Sequence, residues 1–283
     1  MEILAISLAL VLFATAGLQI WRWLDNRHAA RVWRNLAAQA DASPPEFHPS
    51  MVQGLPEPAR RFLLFTIAPG SPIRTVAEVE MTGQISLGTK ENPNYMPMHA
   101  RQILAPPQGL VWALDAGQGA MRIQGSDGFD GATSWTRFWL LGTVPVVRAG
   151  AGADHARAAF GRMVAEAVFW APASLLPRNG VKWEALSESL ARATVTANGM
   201  VQTVDVRIAE DGRPVEVVIP RWTNANPEKL YREQPFGGYL AAFTQFEGYR
   251  LPTRVEGGNL VGTEDYFPFY KAEVSVIRFV GGH

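Results

Sequence analysis

The 283-residue sequence predicts an α+β fold, in which an extended, curved antiparallel sheet wraps around one central helix after an N-terminal transmembrane helix. Three observations predict this fold. The chain opens with a long apolar run, two later blocks alternate apolar and polar residues with period two, and one amphipathic helical pattern lies between those blocks. Strands that flank a single helix in this way are typical of a sheet that covers the helix on one face.

The composition excludes several classes of function. Twenty-six basic and 26 acidic residues cancel, so no overall positive field attracts nucleic acid. The absence of cysteine excludes disulfides, thiolate catalysis and cysteine-based metal sites. The five histidines are too scattered for a metal motif, at positions 28, 48, 99, 155 and 283. We therefore predict no metal, no cofactor and no nucleic-acid partner.

The first element is an apolar run without a charge from Ile3 to Ile20. Extended to Leu24, it would form a helix about 33 Å long at roughly 1.5 Å per residue, enough to span a bilayer. Trp21 and Trp23 follow where indole rings favour the membrane interface. We predict a single-pass anchor over residues 1–24 that contacts the membrane through residues 3–24. The alternative is a cleaved signal peptide, but the N-terminal region carries Glu2 and no basic residue.

Arginines next to this run predict its orientation. None precedes the uncharged run from Ile3 to Ile20, and four follow it, at positions 22, 27, 31 and 34. By the positive-inside rule, the C-terminal bulk of the chain is cytoplasmic. The alternative is a periplasmic or extracellular domain, because large domains can cross the membrane despite flanking charge.

The next segment, residues 25–49, is predicted as a polar juxtamembrane helix followed by a linker, because prolines recur at positions 44, 45 and 49. The α+β domain then covers residues 50–283. It opens with a short helix from Glu57 to Ile67, stopped by the Ala-Pro-Gly sequence at 68–70.

Period-two alternation predicts the strands of the sheet. The longest run covers residues 73–87, and the others cover residues 95–104, 193–197, 204–208, 215–219 and 272–276. Turn signals separate these runs, at residues 117–119, 127–128, 130–131, 198–199, 211–212 and 257–259. The central helix is predicted from Asp154 to Trp170, where apolar residues recur at helical spacing before Pro172.

Eight short motifs are spaced along the domain. They are Leu55-Pro-Glu-Pro-Ala-Arg-Arg-Phe-Leu, Met98-His-Ala-Arg-Gln, Gly109-Leu-Val-Trp, Val144-Pro-Val-Val, Arg162-Met-Val-Ala-Glu, Phe169-Trp-Ala-Pro-Ala-Ser-Leu-Leu-Pro, Gly180-Val-Lys-Trp and Gly248-Tyr-Arg-Leu-Pro. Over roughly residues 50–275, this series resembles an uncharacterised bacterial family catalogued only as a domain of unknown function. The resemblance implies no reaction and no catalytic residue. More remotely, a curved sheet over a helix looks like the bacterial lipoprotein carriers that hold acyl chains.

Two polar pairs are candidate site residues. Arg162 and Glu166 stand four residues apart on the central helix, either as an anchor for a ligand head group or as a structural salt bridge. His99 and Arg101 share one face of a strand, which either lines a cavity, where the imidazole could act as a base, or faces water. Tryptophans fill cores as readily as they line apolar pockets. The candidate ligand-binding residues are His99, Arg101, Trp112, Arg162, Glu166, Trp170 and Arg221.

The sequence favours a membrane-anchored domain that binds an apolar or amphipathic small molecule, or a lipid, between the sheet and the central helix. No nucleophile elbow, phosphate loop or zinc-protease motif occurs, so an enzyme is the weaker alternative. Such an enzyme would use His99, Arg101, Arg162 and Glu166 in one site. A third alternative is a scaffold that docks a protein partner through the sheet edge or an aromatic surface.

Overall fold

The structure, a computed structural model, describes residues 1–281, apart from the Arg178 side chain, so His283 lies outside the described residues. It contains three α-helices: α1 (Glu2–Ala37), α2 (Glu57–Thr66) and α3 (Ala153–Trp170). Helix α2 begins at a proline-flanked position and α3 ends one residue before Ala171-Pro172, as the sequence predicts.

Thirteen strands form one curved antiparallel sheet. They are β1 (Ala77–Ser86), β2 (Tyr95–Ala105), β3 (Gly109–Ala116), β4 (Ile123–Phe129), β5 (Ser134–Leu140), β6 (Val144–Gly150), β7 (Lys182–Ser187), β8 (Leu190–Ala197), β9 (Met200–Ile208), β10 (Pro214–Thr223), β11 (Arg232–Phe246), β12 (Tyr249–Asn259) and β13 (Phe267–Phe279). Their order is β6-β5-β4-β3-β2-β1-β13-β12-β11-β10-β9-β8-β7. The predicted α+β class is confirmed.

Two predicted turns are wrong, because Asp127-Gly128 lies inside β4 and Gly257-Gly258-Asn259 lies inside β12. These glycines serve close packing rather than chain reversal. A Cβ atom at Gly128 would lie 2.3 Å from the ring of Trp135, and one at Gly258 would lie 2.0 Å from the carbonyl oxygen of Phe267. Glycine inside a strand often marks such a close approach.

Helix α3 packs on the inner face of the sheet, mainly against β9 and β10. Its apolar stripe is buried in the main core, through Phe160, Met163, Val164, Ala167 and Val168. This packing brings the side chains of α3 into contact with strands that are far away in the sequence, and it creates the site described below.

The second half of α1 packs on the outer face of the same sheet. Val32 and Leu36 are buried there against Val76, Ile103 and Trp135. The segment predicted as a juxtamembrane helix and linker is therefore packed on the domain. Its proline-rich end is also fixed, because Phe47, which lies between Pro45 and Pro49, is fully buried in the main core and its backbone N–H donates to the carbonyl oxygen of Ser71.

The first half of α1 stands clear of the domain. Its apolar stretch is long enough to cross a membrane, and none of that stretch is buried within the protein. Within residues 1–281, α1 is the one helix with this combination of length and apolar composition.

Candidate functional site

A cavity of about 220 Å³ lies between α3 and the inner face of the sheet. One end is charged and the rest is largely apolar. The lining residues are Ile85, Trp112, Asp127, Arg162, Glu166, Arg221, Phe236, Gly257, Phe269 and Tyr270. Four of the seven predicted ligand-binding residues therefore line one cavity.

A smaller cavity of about 60 Å³ adjoins the first. The two share Glu166, Phe236, Gly257 and Tyr270 as lining residues. The smaller cavity extends between α3 and strands β10–β12 and is mostly apolar, lined also by Phe169, Trp170, Val217, Leu240 and Val255, with Glu256 as a further acidic lining residue. The combined space is amphipathic, with charges at one end and aromatic and aliphatic side chains at the other.

Arg162 is the centre of the charged end. Its Nε atom donates to Glu166 Oε1 at 2.6 Å, and its Nη1 atom donates to Asp127 Oδ2 at 2.7 Å. The guanidinium also lies over the Trp112 ring, 5.2 Å from its centroid. Burial opposes the charge, but Glu166 and Asp127 outweigh it and raise the pKa of Arg162. Arg162 is thus a permanently charged group held between two carboxylates.

Glu166 has a second polar partner on the sheet. The amide nitrogen of Gln102, on β2, donates to Glu166 Oε2. Gln102 is fully buried, and its own carbonyl oxygen has no hydrogen-bond partner among the described residues. Gln102 therefore positions the carboxylate between β2 and Arg162.

Arg221, on β10, differs from Arg162 in its contacts, because Asp127 and Glu166 attract it only from beyond ion-pair distance. It makes no ion pair with any residue in the described part of the chain, and its Nε atom is buried without a hydrogen-bond partner. Its guanidinium lies over the Phe236 ring, 4.4 Å from the centroid. Burial, with repulsion from Arg162, lowers the pKa of Arg221 to about 10. An anion beside Arg221 would relieve both effects.

Two tryptophans add unused hydrogen-bond donors to the same space. The Nε1 atoms of Trp112 and Trp170 are buried without a partner within residues 1–281. Trp112 lines the larger cavity and Trp170 the smaller one. Buried indole N–H groups normally find an acceptor, because leaving a donor unpaired costs roughly 1–3 kcal/mol. With the Nε atom of Arg221, three buried donors in the residues around the two cavities lack a partner within residues 1–281.

Tyr270, on β13, closes the site between Trp112 and Glu166. Its ring packs edge-on to Trp112 with centroids 6.4 Å apart. Burial, with the nearby charge of Glu166, raises the pKa of Tyr270, so its hydroxyl stays protonated.

The structure does not bring His99 and Arg101 to this cavity. Successive side chains on a strand point to opposite faces, and both residues are exposed on the outer face, whereas Gln102 points inward. The Arg101 guanidinium lies 5.8 Å from the Trp33 ring of α1. The four-residue site that an enzyme would need is therefore not assembled.

Sequence reasoning misses Asp127 and Gln102 as members of the site. Asp127 lies between glycines in a stretch that resembles a turn, and only the pairing of β4 with β3 and β5 shows it to be a strand residue that faces α3. The signal for Gln102 is that a polar residue occupies a buried position of β2. A buried polar side chain normally has a hydrogen-bond partner, so such a residue points to a polar contact in the core.

Comparisons with known proteins give a family and two remote structural similarities. No curated protein matches the sequence. An outer membrane lipoprotein-sorting protein domain from Vibrio parahaemolyticus is similar to the chain with a TM-score of 0.36 and 10% sequence identity, over 72% of this chain and 85% of that chain. A DUF1329 family protein from Desulfovibrio piger is similar with a TM-score of 0.25 and 11% identity, over 73% of this chain and 86% of that chain.

The family assignment rests on the sequence of the domain itself. The model of the family described as "Family of unknown function (DUF6544)" matches residues 45–272. This range includes α3, strands β1 to β12 and the first half of β13. The chain is therefore a member of this family of unknown function.

Proposed function

We propose that the protein is a membrane-anchored domain that binds an amphipathic small molecule between α3 and the sheet. The acceptor-bearing, anionic head group binds beside Arg221, and the apolar part lies along Phe236 and Phe169 toward Trp170. One observation carries the proposal: Arg221 is a buried cation without a direct ion-pair partner in the described part of the chain, at one end of a cavity whose other end is apolar. Such a combination of apolar lining with a few placed polar groups is typical of small-molecule sites.

The anchor is the first half of α1, over residues 3–24. Because Trp21, Trp23 and four arginines follow the apolar stretch, we propose a cytoplasmic domain. The chain has no cysteine, so a single Leu186→Cys variant reports the side directly. An impermeant maleimide should label it only after the membrane is opened; labelling of intact cells would contradict this orientation.

The charge proposed for the head group follows from which arginine the carboxylates of the site contact. Asp127 and Glu166 both make their ion pairs with Arg162, and they attract Arg221 only from beyond ion-pair distance. A neutral ligand would leave Arg221 without a direct ion-pair partner, whereas a carboxylate or phosphate would form a charge-assisted hydrogen bond worth roughly 1.5–3 kcal/mol. This difference corresponds to about a tenfold or greater preference for the anion.

The experiment compares hexanoate with hexanol, which share a chain length and differ in the charged head. Binding to the full chain in nanodiscs is measured by titration calorimetry, with empty nanodiscs as the blank. Arg221→Gln removes the cation, and Gly257→Val fills the cavity, because a Cβ atom at Gly257 meets nothing closer than the Gly237 carbonyl oxygen at 3.7 Å. Gly54→Val is the matched control, since Gly54 has no neighbouring atom within 4 Å of its Cβ position and lies outside the cavity.

We expect the wild type to bind hexanoate about tenfold or more tightly than hexanol. Arg221→Gln should bind the two alike, Gly257→Val should bind neither, and Gly54→Val should match the wild type. An Arg221→Gln variant that keeps the preference for hexanoate, or a Gly257→Val variant that binds as the wild type does, would contradict the proposal.

A further inference from the structure

The β5–β6 hairpin exposes apolar side chains at its tip. Leu141 is 56% exposed and Val144 is 50% exposed. Met121 is 58% exposed beside them, where the backbone N–H of Leu141 donates to the carbonyl oxygen of Arg122. Isolated exposed apolar residues are common on protein surfaces, but a contiguous group marks an interaction surface.

The backbone at the tip is unusual for leucine. Leu141 has a φ of +50°, in the left-handed region that glycine and asparagine usually occupy. Gly142, which follows it, also has a positive φ, of +64°. A large apolar side chain is therefore presented at a turn position where the backbone favours a small or polar residue.

The tip is fixed to the end of the membrane helix. Gln19 Nε2 donates to the carbonyl oxygen of Gly142 at 3.0 Å and to Thr143 Oγ1 at 3.2 Å. Arg22 Nη1 donates to the same carbonyl oxygen at 3.3 Å, and its Nη2 atom donates to Gln124 Oε1 at 2.9 Å. These bonds place the tip beside residues 19–22 of α1.

A second group of contacts prevents the hairpin from swinging away from α1. Asp25 is buried, and both its oxygens accept hydrogen bonds from Arg148 on β6, at 2.6 Å and 3.0 Å. Trp139 Nε1 donates to the same carboxylate at 3.1 Å, and the Trp139 ring packs edge-on to Trp21. The hairpin and the end of the span therefore form one rigid unit.

The height of the tip relative to the membrane follows from helix geometry. Gln19 lies five residues before Leu24, the end of the predicted span, which is about 8 Å along the helix axis at roughly 1.5 Å per residue. That depth lies in the outer part of the hydrocarbon core, just inside the head-group region. The exposed apolar side chains of the tip are at the same level.

We propose that the β5–β6 tip, with Leu141, Val144 and Met121, is a second membrane contact that inserts into the interfacial region of the bilayer beside α1. This inference rests on the proposed anchor. The bilayer is the occupant because the span itself brings lipid to the level of the tip. A two-point contact restricts rotation of the domain about α1 and gives the cavity a fixed orientation toward the membrane.

The test uses spin labels on single cysteines in the full chain, reconstituted in phosphatidylcholine–phosphatidylglycerol vesicles. The absence of native cysteine makes each label unique. Labels at Leu141→Cys and Val144→Cys report the tip, and a label at Phe13→Cys reports the span. Leu186→Cys, on β7 at the opposite edge of the sheet, is the water-exposed control. Accessibility to oxygen against a water-soluble nickel chelate gives the depth of each label.

We expect the labels at 141 and 144 to be protected from the nickel chelate at least severalfold relative to the label at 186, at a depth shallower than the label at 13. Water exposure at 141 and 144 with a deep label at 13 would overturn the second contact while leaving the anchor intact. Water exposure at 13 as well would overturn both. Protection at 144 accompanied by spin–spin broadening would overturn the lipid contact in favour of pairing between two copies along the β6 edge.

Discussion

Arg162 and Arg221 lie at the same end of the cavity but have different roles. Arg162 is held by two carboxylates and connects α3 to β4, whereas Arg221 has no ion-pair partner within residues 1–281. The first arginine links the walls of the site, and in the proposed function the second supplies the charge that binds the head group. The i, i+4 spacing of Arg162 and Glu166 is visible in the sequence, but the contribution of Asp127 depends on strand pairing and is not.

Arg162→Met should strongly destabilise the fold, because it leaves Asp127 and Glu166 buried without their counter-ion. Removing one partner of a buried ionic network costs about 3–5 kcal/mol. The free energy of unfolding of the detergent-solubilised chain, measured by tryptophan fluorescence in denaturant, checks this value. Arg254→Met is the control, since its pair with Glu273 is 3.8 Å long and both side chains are more than 60% exposed. Equal losses in the two variants would contradict the assigned role of Arg162.

His155, near the start of α3, should contribute to the pH dependence of the free energy of unfolding. Its ring nitrogens lie 2.6 Å from Ser134 Oγ and 3.2 Å from Thr136 Oγ1. Burial lowers the pKa of His155 below its ordinary value of 6.5, with Asp127 opposing and Arg221 assisting. His155 therefore binds a proton more tightly in the unfolded chain than in the folded chain. This contribution to stability is present above about pH 6.5 and is lost as the pH falls through the lowered pKa.

We expect the unfolding midpoint of the wild type to fall between pH 7.5 and pH 5.5, and the fall to be smaller in His155→Gln. Thermal unfolding followed by tryptophan fluorescence at both pH values measures the difference. An equal or larger fall in His155→Gln would show that His155 does not carry this pH dependence.

Helix α1 combines an apolar first half, which we propose as the anchor, with a second half that is a structural element of the domain. Its second half covers the outer face of β2 and β3, where it buries Ile103 and Val111 beside Val32 and Leu36. Because α1 covers this part of the outer face, apolar and polar residues do not alternate in these segments of β2 and β3. Residues 102–105 and 109–112 are buried on both faces, so their sequence shows no polar face.

Removal of α1 in two steps should separate its two roles. A chain that begins at residue 25 keeps the helix that covers the sheet and should be soluble and monomeric. A chain that begins at residue 41 exposes Ile103, Val111 and Trp135 to water and should bind a hydrophobic dye and aggregate. Size-exclusion chromatography and dye fluorescence compare the two. Identical behaviour of both chains would show that the second half of α1 contributes nothing to the fold.

The strands differ in how well the sequence predicts them. In β1 and the first half of β2, one face meets the core and the other meets water, so apolar and polar residues alternate. Strands β3 to β6 are not predicted, because α1 covers part of their outer face and β6 is exposed along its length. Strands β11 and β12 are not predicted, because glycines that pair across these strands resemble turn signals. Gly237 lies opposite Gly258, and Gly238 lies opposite Gly257.

The molecule has one sheet with a helix on each face. Helix α1 on the outer face ties the domain to the apolar N-terminal stretch, and α3 on the inner face forms the wall of the amphipathic cavity. The sequence predicts this division into an apolar span and an α+β domain, and it predicts four of the residues at the cavity. The sequence does not show that His99 and Arg101 lie away from the cavity. Which face of β2 meets the core depends on the side of the sheet on which α3 packs, and the sequence does not specify that side.

Native mass spectrometry of the full chain, released from nanodiscs made directly from cell membranes, tests the central claim most directly. We predict that the wild type carries an additional mass, which solvent extraction identifies as an anionic amphiphile, and that Gly257→Val loses this mass while Gly54→Val keeps it. A wild-type chain at its bare mass, or the same additional mass on the cavity-filled variant, would contradict the claim that this cavity binds an amphipathic molecule.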